Sequence, residues 1–327
     1  MSLYKKGEKI KQKVGGITYS TFTTNADNIV VPTESYNNSK DDKGSVTIPL
    51  LLPVGTYEII EIKPPEGFLQ LGENVIFKVE DIASYEKNKN GDYIKEIIVK
   101  NEQPTGIIIV DKTVVLRKDV DKSLIDISDF CGIEFKLIAK EDIIDFADGS
   151  IIYPKGEKIG SYNLDKNGNL KIENLPIGTY EIQEVKTLDG LLLNKKIYEV
   201  KFISKDYTTK VYEETKVIEN KTSIVEFSKQ DITGKKELEG AKLTVINENN
   251  EVIDTWVSTK KTHKIEGLVA GKKYILREEI APEGYLKATD IEFTVGTDKE
   301  IQFIIMKDMP ILDDFYSNKE KSKIGRR

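Results

Sequence analysis

The chain has 327 residues, 39% of them hydrophobic and 32% charged, with a net charge of −6. A near balance of 49 Lys and Arg against 55 Asp and Glu offers no basic stripe for nucleic acid. The longest apolar runs, such as residues 48–54, are broken by proline and too short to span a bilayer. One cysteine (Cys131) and one histidine (His263) exclude a disulfide framework, a Cys/His zinc site and most nucleophile–histidine pairs, so neither metal nor cofactor is expected.

From the N-terminus onward the pattern is β. Residues 1–3 lack the basic, apolar and cleavage features of a signal peptide, and residues 317–327 form a charged tail without an anchor. The chain therefore reads as a piece of something longer. Segments 107–116, 200–203, 224–228 and 291–295 are short and rich in Val, Ile and Phe. They are separated by turn signals such as Asn90-Gly91-Asp92, Asp165-Lys166-Asn167-Gly168 and Thr233-Gly234-Lys235. No stretch has the period and caps of a long amphipathic helix.

One motif recurs three times. Leu52-Pro53-Val54-Gly55-Thr56-Tyr57-Glu58-Ile59-Ile60-Glu61 returns as Leu175-Pro176-Ile177-Gly178-Thr179-Tyr180-Glu181-Ile182-Gln183-Glu184. It returns again, one residue longer, from Leu268 to Glu278. Two copies run on into Pro65-Glu66-Gly67-Phe68 and Pro282-Glu283-Gly284-Tyr285, whereas the middle one has Asp189-Gly190-Leu191. Such self-similarity divides the chain into units near 1–104, 105–221 and 222–310, followed by a tail at 311–327. Each unit has the length of one β-sandwich, so the expectation is all-β: three tandem Greek-key sandwiches in an elongated rod, with almost no linker. Gly16, Gly132 and Gly240 read as equivalent strand starts.

Alternate residues of a strand share a face. Glu61, Glu184 and Glu278 therefore sit on the apolar side of their strands, with Tyr57, Tyr180 and Tyr274, where an unsatisfied charge is costly. The first strands carry a lysine in the same kind of row: Lys112 with Ile108 and Val110, Lys229 with Val225 and Phe227, and Lys5 with Leu3. Lys5 lies as far before Gly16 as Lys229 lies before Gly240. The longer interval from Lys112 to Gly132 marks an insertion. The last strands contribute Asn101, Asn220 and Asp308.

Lysine, glutamate and a carboxamide or carboxyl, brought together in a dry site, suit one reaction. Burial favours the neutral amine and the neutral acid. A neutral amine held against an acyl carbon is an activated nucleophile, and the glutamate can shuttle protons. The product is an amide between side chains, formed once. The competing reading is a set of buried or solvated ion pairs.

The Leu-x-x-Gly-x-Tyr-x-Ile/Leu-x-Glu strand, the Pro-Glu-Gly-Phe/Tyr turn and the early lysine strand resemble tandem Cna protein B-type domains. These are also called SpaA-type or prealbumin-like domains, of Gram-positive surface adhesins and pilins; the resemblance covers residues 3–310. It implies a Greek-key sandwich and intramolecular isopeptide bonds Lys112–Asn220, Lys229–Asp308 and Lys5–Asn101, assisted by Glu184, Glu278 and Glu61. Lys6, Lys9 and Lys11 are alternatives to Lys5. The middle unit departs from the pattern in lacking the Pro-Glu-Gly turn. The role implied is a stalk segment of a cell-wall-anchored adhesin, extracellular, not an enzyme beyond its own cross-linking. Peptidoglycan would be reached through a sortase, and host matrix or cell surface through other parts of the parent protein. A shaft pilin is the alternative. Tyr153-Pro154-Lys155 is similar to the pilin motif whose lysine joins subunits, but here it reads as a strand running into a turn.

A different class, a carbohydrate- or matrix-binding sandwich, would need an aromatic platform, for which Trp256 is the one tryptophan. His263 reads as a surface strand residue, Cys131 as a small core residue, and residues 165–168 as a hairpin turn rather than a calcium loop.

Overall fold

In the computed structural model, residues 1–25, 31–38, 42–87, 91–298 and 300–311 are described; the charged tail beyond 311 and Asn90 of the Asn90-Gly91-Asp92 turn lie outside them. The only helix among them is a single 3-10 turn, Ile82–Ser84. None is long and apolar enough to cross a membrane.

The first group of strands is β1 (Ser2–Lys5), β2 (Glu8–Lys9), β3 (Gln12–Val14), β4 (Ile17–Tyr19), β5 (Thr21–Phe22), β6 (Ser35–Tyr36), β7 (Gly55–Ile60) and β8 (Val75–Val79). They make one four-stranded sheet, β2-β1-β7-β8, and the small pairs β3-β4 and β5-β6. Gly16 sits in the β3–β4 turn with φ of 85°. It is therefore not the counterpart of Gly132 or Gly240, which precede long strands.

The second group is β9 (Thr105–Val115), β10 (Lys122–Ser123), β11 (Glu134–Ala139), β12 (Ile143–Ile144), β13 (Ile151–Tyr153), β14 (Lys158–Asn163), β15 (Asn169–Pro176), β16 (Gly178–Lys186), β17 (Ile197–Phe202) and β18 (Val211–Lys221). Two sheets, β15-β9-β18 and β14-β11-β16-β17, enclose one core. Ile108, Val110, Ile172 and Ile218 of the first sheet meet Phe135, Leu137, Tyr180 and Ile182 of the second. Residues 165–168 join β14 of one sheet to β15 of the other, so the turn crosses between sheets and closes no hairpin.

The third group repeats this plan with β19 (Ile224–Asp231), β20 (Lys242–Asn247), β21 (Val252–Val257), β22 (His263–Glu266), β23 (Lys273–Ile280), β24 (Ile291–Thr294) and β25 (Ile301–Asp308). Its sheets are β22-β19-β25 and β21-β20-β23-β24. In both groups the first and last strands are parallel neighbours: β9 pairs β18 in register over its whole length, and β19 pairs β25 from Ile224 to Asp231.

The insertion expected after Lys112 has a structural purpose. It carries β10, which adds in parallel to the edge of β22 in the next unit. Between β18 and β19 only Thr222 and Ser223 intervene. Around that short junction the buried Glu266 carboxylate accepts hydrogen bonds from Thr222 Oγ1 (2.7 Å), Ser123 Oγ (3.0 Å) and the Arg117 amide (3.0 Å). Polar groups shut away from water need such partners, so the strap and the junction fix each other.

Candidate cross-linking site

In the second unit Lys112 is the eighth residue of β9 and faces the core with Ile108 and Val110. It lies opposite Ile218 in the parallel ladder, two residues before Asn220. Glu184 comes from the other sheet, near the end of β16, opposite Phe135 and beside a register shift in the β11–β16 pairing. The three side chains meet. Lys112 Nζ donates to Glu184 Oε2 and, at 2.5 Å, to Asn220 Oδ1, while Asn220 Nδ2 donates to Glu184 Oε1 at 2.7 Å. Residue exposures of 7%, 2% and 1% leave the cluster essentially dry. Burial pushes the Lys112 ammonium below the usual lysine range, against the opposing hydrogen bond and charge of Glu184. The Phe135 ring lies 5.6 Å from Nζ and closes the apolar side.

In the third unit Lys229 lies opposite Met306, again two residues before Asp308, and Glu278 stands opposite Leu243 beside the same kind of register shift. Lys229 Nζ contacts Asp308 Oδ1 and lies 2.9 Å from Glu278 Oε1. All three residues are at most 2% exposed. Two carboxyl groups thus face one amine, and Glu278 Oε1 and Asp308 Oδ2 are buried without an aligned hydrogen-bond donor. Burial raises the Asp308 carboxyl above the usual aspartate range, with Lys229 opposing and the Glu278 charge adding to the rise.

The first unit differs. Glu61 is buried, and both of its oxygens accept from Asn101 Nδ2, at 3.0 and 2.9 Å. Lys5 is elsewhere: its Nζ donates to Val54 O at 3.0 Å and lies 5.0 Å from the centre of the Tyr57 ring. The expected Lys5–Asn101 pairing is therefore corrected. The strand bearing Lys5 is the wrong strand. β1 pairs β7 with Leu3 opposite Ile59, as β11 pairs β16 with Leu137 opposite Ile182, so β1 is the counterpart of β11 and β20, not of β9 and β19. Lys5 falls at the Tyr57 end of the strand, four residues or about 13 Å from Glu61. Of the alternatives, Lys9 is exposed in β2, and Lys6 and Lys11 are exposed. None makes a hydrogen bond or ion pair with Glu61 or Asn101 among the described residues.

A family profile described as "SpaA: Prealbumin-like fold domain" matches residues 1–92, 126–216 and 223–309. The chain belongs to this family. Its module is structural rather than enzymatic, and the all-β sandwich expected from the repeats is the family's fold. Among solved structures, "The Bacillus anthracis TIE protein" is similar at 20% identity and a TM-score of 0.46, over 79% of this chain but 42% of that one. A Streptococcal ancillary pilin is similar at 21% identity and a TM-score of 0.29, over 80% of this chain and 77% of that one. The shaft pilin spaA of Lactobacillus rhamnosus GG follows at 14% identity and a TM-score of 0.26, over 64% of this chain and all (100%) of that one. Comparison with curated proteins finds no match.

Within these SpaA-type units the structure adds residues that the motif did not suggest. In each, a backbone amide ten residues beyond the glutamate donates to its carboxylate: Leu71 to Glu61 (2.9 Å), Asn194 to Glu184 (3.3 Å) and Ala288 to Glu278 (2.6 Å). The intervening turn brings that amide back. A backbone donor has no side-chain signature in the sequence. Thr187 Oγ1 also accepts from Asn220 Nδ2 at 2.8 Å, fixing which way the amide faces.

Other candidates resolve simply. Trp256 is stacked on His263 (centroids 4.1 Å apart, 12° between planes) and packs against Phe227, so its ring is already used. His263 is half-buried in β22, with Nε2 2.8 Å from Asp254. Cys131 is exposed, contrary to the core position expected, because the turn ahead of β11 gives the inward place to Ile133. Lys155 follows β13 in an exposed turn, its amide bonded to Asp142.

Proposed function

We propose that this chain is a stalk segment of a Gram-positive cell-wall-anchored surface adhesin, extracellular, in which units two and three (near 105–221 and 222–310) are locked by autocatalytic amide bonds Lys112–Asn220 and Lys229–Asp308. The observation that carries the reading is the repeated convergence of amine, carboxyl and acyl group in two dry sites at the same place in the fold. An ion pair explains one such cluster; it does not explain why the acceptor of the second unit is a neutral carboxamide.

Glu184 takes a proton from the Lys112 ammonium, and the freed amine attacks the Asn220 carbonyl carbon. A C–N bond forms, the old C–N bond breaks, and ammonia leaves with the proton Glu184 returns; the surplus ammonium proton stays on the glutamate. In the third unit the neutral Asp308 carboxyl is attacked and its hydroxyl leaves as water, with Glu278 as the shuttle. Each bond ties the first strand to the last, which are already neighbours, so tension entering along one leaves along the other. Peptidoglycan attachment and ligand contact belong to other parts of a longer protein.

High-resolution intact mass of the denatured chain tests this. The expected deficit is one ammonia plus one water; an unshifted mass leaves only buried ion pairs. A shaft-pilin role is favoured by one observation, the exposed Lys155 after Tyr153-Pro154. It requires Lys155 to be linked to a neighbouring subunit, which peptide mapping of assembled material would reveal.

A further inference from the structure

The sites in units two and three differ in their acyl group, a carboxamide at Asn220 and a carboxyl at Asp308, and their surroundings differ with it. An amine attacks a carboxamide as it stands, but it attacks a carboxyl group only in the neutral form. Whatever touches the acyl group on the side away from the lysine therefore bears on which of the two can react. In unit two that side is held by Thr187. Asn220 Nδ2 donates to Glu184 Oε1 at 2.7 Å and to Thr187 Oγ1 at 2.8 Å, which leaves Oδ1 turned to Lys112 Nζ at 2.5 Å. Both amide hydrogens are used, so the leaving nitrogen is gripped from two sides.

Thr187 stands three residues after its glutamate. The same place is Ala281 after Glu278 and Pro64 after Glu61. Ala281 has no polar side chain to offer, and Asp308 Oδ2 is buried with no hydrogen-bond partner among the described residues. Pro64 has none either, yet the carboxamide of that unit still finds a second acceptor. Asn101 Nδ2 donates to Leu69 O at 2.8 Å as well as to Glu61. Both asparagines thus have a fixed acceptor besides the glutamate, whereas Asp308 Oδ2 has no donor. A hydroxyl can accept from an N–H or donate to an oxygen. Beside an aspartate, the Thr187 hydroxyl would donate and so favour the ionised carboxylate, which resists attack. A dry oxygen without a partner does the opposite and disfavours the charge.

We propose that the residue three positions after the glutamate selects the acyl partner: the Thr187 hydroxyl commits unit two to a carboxamide, and the methyl group of Ala281 leaves unit three to a carboxylic acid. The selection rests on the amide chemistry proposed above and adds what decides its leaving group. In unit two the Lys112 amine forms a C–N bond to Asn220 Cγ and the Cγ–Nδ2 bond breaks. The proton lost by the amine, relayed by Glu184, departs with Nδ2 as ammonia. Thr187 holds that nitrogen away from the lysine until the bond breaks. With aspartate in place of Asn220 the Cγ–OH bond breaks instead and the relayed proton departs in water. That route needs the neutral acid, which the hydroxyl opposes.

The test samples the full chain over time as it is made by cell-free synthesis, reading intact mass and peptide maps. Unit three then serves as the internal reference for changes in unit two. Thr187→Val keeps the shape and removes the hydroxyl. Ammonia loss from unit two is expected to slow about tenfold, the effect of one hydrogen bond lost at a buried group, and Thr187→Ser to restore it. In an Asn220→Asp chain the same Thr187→Val change is expected to act with the opposite sign and speed water loss. Ala281→Ser is expected to slow water loss from unit three. A Thr187→Val change that slows both acyl partners alike reduces Thr187 to packing and overturns the selection. So does an Asn220→Asp chain that stays unlinked with either residue at 187, or an unchanged rate in Ala281→Ser. Hydrogen exchange in each unit separates a slow site from an unfolded one. A wild-type chain with no mass deficit removes the amide chemistry and the selection together, whereas a deficit that none of these substitutions slows removes the selection alone.

Discussion

At Lys112 and Asp308 burial acts on opposite charges, and this gives the two sites opposite pH behaviour. Lys112 is lowered, so its neutral amine becomes populated as pH rises through a value below the ordinary lysine range. Asp308 is raised, so its neutral acid persists above the ordinary aspartate range and is lost as pH rises further. Before the bond forms, each shift penalises the charged form: unit two is least stable where Lys112 is protonated, unit three where Asp308 ionises. Refolding the denatured, unlinked chain at a series of pH values should therefore show bond formation in unit two speeding up with pH and that in unit three slowing. Peptide mapping of each unit reads this directly. Glu184→Ala should keep the ammonia and Glu278→Ala the water, each without affecting the other unit's mass, since the clusters lie in separate cores.

At the scale of strands, the proposed Lys112–Asn220 bond would close a long loop, because the two residues are 108 apart. If chain-entropy arguments for cross-links transfer, this contributes about 4–5 kcal/mol, comparable to the whole stability of a small domain. The Glu184→Ala chain should lose a midpoint shift of that size in chemical denaturation, monitored in unit two. The β10 strap makes a different prediction. Removing the Glu266 carboxylate orphans the Thr222, Ser123 and Arg117 donors, at a cost of about 1–3 kcal/mol. Glu266→Ala should raise hydrogen exchange at residues 117–125 while leaving both mass deficits intact. A deficit lost in that variant would mean the junction and the cross-linking sites are coupled.

For the whole molecule, the proposed bonds would carry tension through the paired first and last strands of units two and three, whereas in the first unit no lysine is bonded to Glu61 or Asn101 among the described residues. Pulled from its ends, the chain should extend by unfolding the first unit while the 108 residues from Lys112 to Asn220 stay closed. Glu184→Ala should then add a release on the order of 350 Å, at about 3.3–3.6 Å per extended residue.

The repeat, the all-β class and the second- and third-unit lysine, glutamate and acyl residues were legible because alternation places them in core-facing rows, where a charge demands a reason. The misplacement of Lys5 has an equally physical origin. A strand reading apolar-x-lysine looks the same whether it is the first or second of its unit, since period two says which residues share a face but not which neighbours a strand pairs with. Gly16 reinforced the error by matching the spacing from Lys229 to Gly240 in the third unit, although it sits in the turn of a short strand pair. Likewise, nothing local announced that residues 117–126 would reach the next unit. Sequence by itself determined what chemistry each strand carries. Only the tertiary structure decided which strands are neighbours, because pairing is set by the hydrogen-bond ladders and cores that distant segments complete together.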